Sequence, residues 1–215
     1  LWSVALLPIV LIIVRDSIVY DGMRHVLFCY PPMVVLAASG WTALLASRRR
    51  WLQIGGFALL IAGLVNVLSF NVRSYPNQAA YINELAGGPR GAFARYELDY
   101  WGNCVLQAVK WSAAQARQAQ MPVRVWGRPE QVVEHDTDRF PELIFTREGE
   151  DPHHLKIRLL RGSDRDLWGP ANHPDVVHRV TTADGAVLCV VSRGTYPDFE
   201  ELLRRQQAFG SPPSR

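Results

Sequence analysis

"SRRRWLQIGGFALLIAGLVNVLSF", residues 47–70, decides the fold. Trp51 to Phe70 is a run of 20 residues without a charge. At about 1.5 Å of rise per residue, a helix of that length covers roughly 30 Å, the thickness of a hydrocarbon core. Arg48, Arg49 and Arg50 stand immediately before it. Three arginines in a short loop mark the cytoplasmic side of a membrane. Trp41 and Trp51 flank this turn and suit the aromatic belt at the interface. The stretch therefore reads as a span that starts at the inner face and runs outward.

The pattern continues upstream. Val26 to Ala46 is also uncharged, and so is the shorter Leu1 to Val14. The chain opens on Leu1, and the expectation is that it starts inside a helix whose beginning lies upstream. A signal peptide would want a basic start and a small-residue cleavage site, and "IIVRDSIVYDG" (12–22) has neither. The reading is a stem of about three transmembrane helices over residues 1–70, approximately 1–14, 26–46 and 51–70. The loop from Arg15 to His25 and everything after Phe70 then lie opposite the arginine turn. In a bacterial inner membrane that side is the periplasm.

Charge divides the chain at the same place. Residues 1–70 hold five arginines and two aspartates, which is the whole formal net charge of +3. The remainder is neutral overall. The sequence pI of 8.9 is therefore no argument for a nucleic-acid partner, because the polar part shows no concentrated basic face.

Residues 71–101 read as an interfacial linker rich in Tyr, Asn, Gly and Pro. Residues 102–210 read as a small extracytoplasmic α+β domain. A helix is predicted from about Asn103 to Gln118, with Asn103 as N-cap and an apolar stripe of Val105, Ala108, Val109, Ala113 and Ala116. Strands are predicted at 121–127 and 154–160. A hairpin is predicted over 176–194 around Asp184-Gly185, and a last helix from about Phe199 to Phe209. Cys104 falls on the helix and Cys189 in a strand. Two buried free thiols is the plainer reading of that pair, and a bridge, permitted in an oxidising compartment, is the alternative.

Three strings carry a family resemblance: "YDGMRHVLFCYPPM" (20–33) before a span, "SYPNQAAYINELAGG" (74–88), and "YELDYWG" (96–102) leading into a helix. Together they resemble the C-terminal region of bacterial membrane glycosyltransferases of family 39, the dolichyl-phosphate-mannose-transferase-like group with the GT-C fold. The resemblance covers roughly residues 15–111. It implies a multi-pass inner-membrane protein that moves a sugar from a polyprenyl-phosphate carrier to an acceptor on the periplasmic face. The family's catalytic acidic residue lies in the first outside loop of the full protein, and this chain has no such loop. No catalytic residue is assigned here, and the segment alone is expected to be inactive.

Two groups of residues are candidates for substrate contact. Arg15, Arg24 and His25 share the outer loop between two spans, at the depth where a polyprenyl phosphate places its phosphate. The forked, permanently charged guanidinium suits that anion, and His25 adds a donor. The alternative is interfacial snorkelling. Pro31 and Pro32 either break the following helix to open a lipid groove or simply make it start late. In "YELDYWG", Asp99, Tyr100 and Trp101 suit a sugar, whose C–H faces stack on rings and whose hydroxyls donate to carboxylates. The competing reading is that the rings hold the domain at the interface while Asp99 caps the helix.

Other chemistry fails on spacing. The six histidines show no metal-ligand pattern with cysteine. "GGPRGAF" lacks a phosphate-loop lysine and a preceding strand, so no cofactor is assigned. Two functions of different class follow. One is the C-terminal part of a polyprenyl-phosphate-sugar-dependent glycosyltransferase. The other is a non-catalytic membrane-anchored module whose outer domain binds a partner or envelope polymer. Both make the chain membrane-integral. Alkaline carbonate extraction is expected to leave it in the membrane pellet, and its release into the supernatant would contradict the span assignment.

Overall fold

The computed structural model describes residues 1–17, 22–147, 149, 152–161 and 168–195. The chain forms two units, Leu1–Val67 and Leu68–Arg215.

The first unit is helical: α1 (Trp2–Val14), a 3-10 segment (Gly22–Cys29), α2 (Tyr30–Leu45) and α3 (Arg50–Arg73), which runs into the second unit. Leu7, Val10, Phe57, Leu59, Ile61 and Leu64 are all exposed. A continuous apolar surface of this kind is rare on a water-facing protein and normal against lipid. Two stretches, Val26–Leu45 and Arg50–Arg73, are long and apolar enough to cross a membrane. The expected third span is not among them. α1 has 13 residues, about 20 Å at 1.5 Å each, which is short of a hydrocarbon core. Pro31 and Pro32 occupy the first turn of α2, where a missing N–H costs nothing. They start the α-helix late and do not break it.

The second unit is a five-stranded mixed sheet with helices. β1 (Val123–Arg128) is flanked in parallel by β2 (Leu143–Phe145) and β3 (Leu155–Leu159). β5 (Val187–Arg193) runs antiparallel to both β3 and β4 (Val176–Thr181). The spatial order is β2-β1-β3-β5-β4. The hairpin is where the sequence put it, with Gly185 at φ +89 in its turn, a left-handed geometry that glycine adopts without strain. The expected small domain of helices and strands is present, and its sheet is mixed, with β1, β2 and β3 in parallel pairs. The short elements α4 (Gly88–Ala92), α6 (Glu130–Thr137) and α7 (Trp168–Asn172) complete the unit. The helix expected at 199–209 lies outside the described residues.

α5 (Asn103–Ala119) covers one sheet face and builds the core. Its Val105 and Val109 are fully buried with Val125, Ile157 and Val191 of the strands. Residues 71–101, read as a linker, contribute Ala80, Ala92, Phe93, Ala94 and Leu98 to that same core, so the folded unit begins well before residue 102. Gly and Pro obscured this, because three alanines carry little hydrophobic signal yet fit where backbone approaches backbone.

Cys104 and Cys189 form a disulfide between α5 and β5, in place of two free thiols, and Cys29 is the free cysteine. With 85 residues between its ends, closing that loop in the unfolded chain removes about 4–5 kcal/mol of entropy in the loop-closure account. Cys104→Ala is expected to lower unfolding free energy by about 2–5 kcal/mol. Maleimide labelling of the denatured chain checks the bond itself. One reactive thiol is expected without reductant and three after reduction, and three before reduction would contradict it.

Candidate functional site

Asp99 is almost fully buried, with 3% of its surface exposed. Its Oδ1 accepts from the Asn103 N–H at 3.0 Å and its Oδ2 from the Cys104 N–H at 2.8 Å. Both are amides of α5's first turn, which have no partner within the helix. The carboxylate also meets the positive end of the helix dipole. Gly102, at φ +71, takes the N-cap position expected for Asn103, which becomes the first helical residue. Asp99 is therefore a capping group, with both oxygens occupied, and not a hydroxyl acceptor for a sugar.

The neighbouring residues face outward. Glu97 accepts from Arg161 Nε at 3.0 Å. The same guanidinium lies over the Tyr100 ring, 4.1 Å from its centroid, a cation–π arrangement. Tyr100 meets Trp101 edge to face at 4.8 Å. Trp101 itself is 73% exposed, a large apolar plane left open to solvent or ligand. The alternation of rings and carboxylates thus splits by depth: Leu98 and Asp99 point in, while Glu97, Tyr100 and Trp101 gather around Arg161.

Arg161 also lines a cleft of about 410 Å³ with Arg128, Pro129, Glu130 and Leu159. Arg128 ends β1 and Leu159 ends β3, so the cleft lies at the carboxyl ends of two adjacent parallel strands. In open α/β sheets that is where ligands bind, since the backbone there turns away and leaves a crevice. α6 begins at Glu130, whose Oε1 accepts from Trp126 Nε1 at 3.3 Å. Two guanidiniums and the Glu130 carboxylate lining one cleft offer donors and acceptors to a polyhydroxy ligand. The sequence alone did not single out Arg128, Glu130 or Arg161. Their common position depends on β1 and β3 being parallel neighbours, a pairing between segments about 30 residues apart that local sequence does not encode.

The other predicted residues belong to the first unit. Arg15 follows α1 directly and is exposed. The backbone of Arg24 and His25 lies in the 3-10 segment Gly22–Cys29, and their side chains lie outside the described residues. Ile18 to Asp21, between them, are outside as well. Among the described residues no group of three or more His, Cys, Asp and Glu is arranged to hold a metal ion.

Two histidines in the second unit are perturbed. His178 stacks flat on Trp111, 4.7 Å between centroids and 3° between planes, and burial pulls its pKa below the usual 6.5. His153 is lowered too, chiefly by burial and then by the charge of Lys156.

No protein family, curated protein or solved structure matches the chain. The capping role of Asp99 is tested by Asp99→Ala, which is expected to cost about 0.5–2 kcal/mol in chemical denaturation, while Asp99→Asn recovers only part of it, because its amide oxygen accepts from one of the two N–H groups and its NH2 faces the other. An Ala variant as stable as the parent would remove the cap from this account.

Proposed function

We propose that the chain is the C-terminal part of a polyprenyl-phosphate-sugar-dependent membrane glycosyltransferase, of the family 39-like GT-C group, in a bacterial inner membrane. The observation that carries the reading is the pair of membrane-length helices, Val26–Leu45 and Arg50–Arg73, joined by the Arg48–Arg50 turn. With that turn cytoplasmic, the loop bearing Arg15, Arg24 and His25 emerges on the outer side, and so does the chain after α3. This is the multi-pass topology that "YDGMRHVLFCYPPM" and "YELDYWG" imply by resemblance. The open cleft lined by Arg128, Glu130 and Arg161 supports a saccharide acceptor or donor sugar as the ligand of the outer domain.

In this reading the lipid carrier's phosphate meets Arg24 at the edge of the hydrocarbon core. The effective dielectric there is below that of water, and a charge pair is screened less. Leaving one partner of such a hydrogen-bonded ion pair alone costs roughly 2–5 kcal/mol. At about 1.4 kcal/mol per factor of ten, Arg24→Ala in the complete enzyme loses on the order of 30- to several-thousand-fold in transfer. An arginine that only anchors the loop would cost about 0.5 kcal/mol. Arg24→Lys keeps the charge and loses the fork, which separates electrostatics from geometry. The measurement is transfer rate with purified enzyme and polyprenyl-phosphate sugar, normalised to folded protein. Retention of more than about half the activity by Arg24→Ala, far short of the tenfold loss that 1.4 kcal/mol represents, ends the assignment.

A further inference from the structure

The second unit opens on Leu68, so the last residues of α3 belong to it. Side-chain contacts hold them there. Phe70 is buried and its ring lies 5.2 Å from that of Tyr81. Ser74, directly after the helix, is buried too, and its Oγ accepts from the Ala183 N–H at 3.3 Å. Asn77 and Gln107 of α5 exchange two side-chain hydrogen bonds, at 2.7 and 3.4 Å. The point where α3 ends is thus built into the folded unit.

Those contacts fix the end of the sheet that α3 joins. Ala183 lies in the turn between β4 and β5. β5 runs antiparallel to β3, with Cys189 opposite Leu159, and the Leu160 N–H donates to the Leu188 carbonyl at 2.8 Å. The turn therefore stands at the carboxyl end of β3, and of its parallel neighbour β1. Two further segments attach to the same end. The Arg90 N–H donates to Asp184 Oδ2 at 3.2 Å, and a Cβ on Gly88 would lie 3.2 Å from Glu84 Oε2 and 3.8 Å from Asp184 Oδ2. The 3-10 turn Glu84–Ala86 is thereby tied to the hairpin. Gly102 packs on β3, since a Cβ there would lie 3.6 Å from Leu159 Cδ2. Beside each of these attachments stands a large side chain left uncovered: Tyr75 next to Ser74, Leu85 next to Glu84 and Trp101 next to Gly102. They are 76%, 100% and 73% exposed. One such residue needs no explanation, but three at one end of one sheet do.

We propose that this end of the second unit docks on the bilayer surface, with Tyr75, Leu85 and Trp101 in the lipid interface. Continuity selects lipid over a second protein as the occupant. Tyr75 stands two residues beyond α3, so the uncovered residues belong to the end of the sheet at which the membrane-length helix finishes. Tyr and Trp suit the headgroup layer, where an apolar body and a polar tip each find a matching phase. A fully exposed leucine gains by burying its side chain at the acyl boundary. The inference rests on α3 being a span and on nothing else in the glycosyltransferase reading, since it uses no sugar and no residue of the membrane loop. The cleft of Arg128, Glu130 and Arg161 belongs to the same end of the sheet, so docking holds it at the membrane surface.

The test uses the full chain in phosphatidylcholine nanodiscs. Cys29→Ala removes the free thiol, while Cys104 and Cys189 stay bonded. A nitroxide is attached at Tyr75→Cys, Leu85→Cys or Trp101→Cys. Leu59→Cys, exposed on α3, is the lipid reference, and Asp138→Cys, exposed at the end of α6, is the aqueous one. Power saturation reads collision rates with oxygen, which concentrates in lipid, and with a neutral nickel chelate, which stays in water. The oxygen-to-nickel ratio is expected to rise at all three sites above the Asp138 value, without exceeding that at Leu59. Leu85 or Trp101 at the Asp138 value overturns the proposal, whatever Tyr75 shows so close to α3. A fall in both collision rates at Leu85 or Trp101 reports protein contact in place of lipid and overturns it as well. Leu59 at the aqueous value removes the span reading and this proposal with it. Leu59 in lipid with Leu85 or Trp101 in water removes this proposal alone. Circular dichroism follows the folding of each variant, and if Trp101→Cys fails to fold, the exposed Tyr96 takes its place.

Discussion

Cys104 is held twice in α5's first turn, and the second unit is organised around that point. Its backbone N–H donates to the buried carboxylate of Asp99, and its sulfur is bonded to Cys189 in β5. The first bond fixes where the helix starts. The second fixes which face of the sheet the helix covers. With the helix end set in both respects, Val105 and Val109 fall onto the strands, and the opposite sheet face is left for polar residues. The segment before the helix then has one route, inward at Leu98 and Asp99 and outward at Tyr100 and Trp101.

Long signals were legible in the sequence and short ones were not. A charge-free run of 20 residues has few interpretations, and the helix from Asn103 and the hairpin around Asp184-Gly185 carry their own periodicities. β2, with three residues, cannot show a period, and the parallel pairing of β1 with β3, on which the cleft at their carboxyl ends depends, is not written in either strand's own residues. α6 was hidden for a related reason. Its "EQVVEHDT" has one two-residue apolar step, and the capping position is Pro129. The disulfide could not be chosen over free thiols from spacing, because 85 residues of separation say nothing about distance.

The second unit carries two clefts although Arg128 and Arg158, which line one each, are register partners. One lies at the carboxyl ends of β1 and β3, where Arg128, Glu130 and Arg161 offer both donors and acceptors. The other is lined by residues of β3, α7 and β5, Arg158, Gly169 and Ser192 among them.

The two edges of the sheet bear on self-association. β2 spans only three residues, and β4 departs from regular register at Val176/His178 and at Val180/Thr181. An edge that short, or one kinked in two places, is a poor template for a strand from another molecule. Irregular margins of this kind let copies of the domain crowd together without zipping into a continuous sheet.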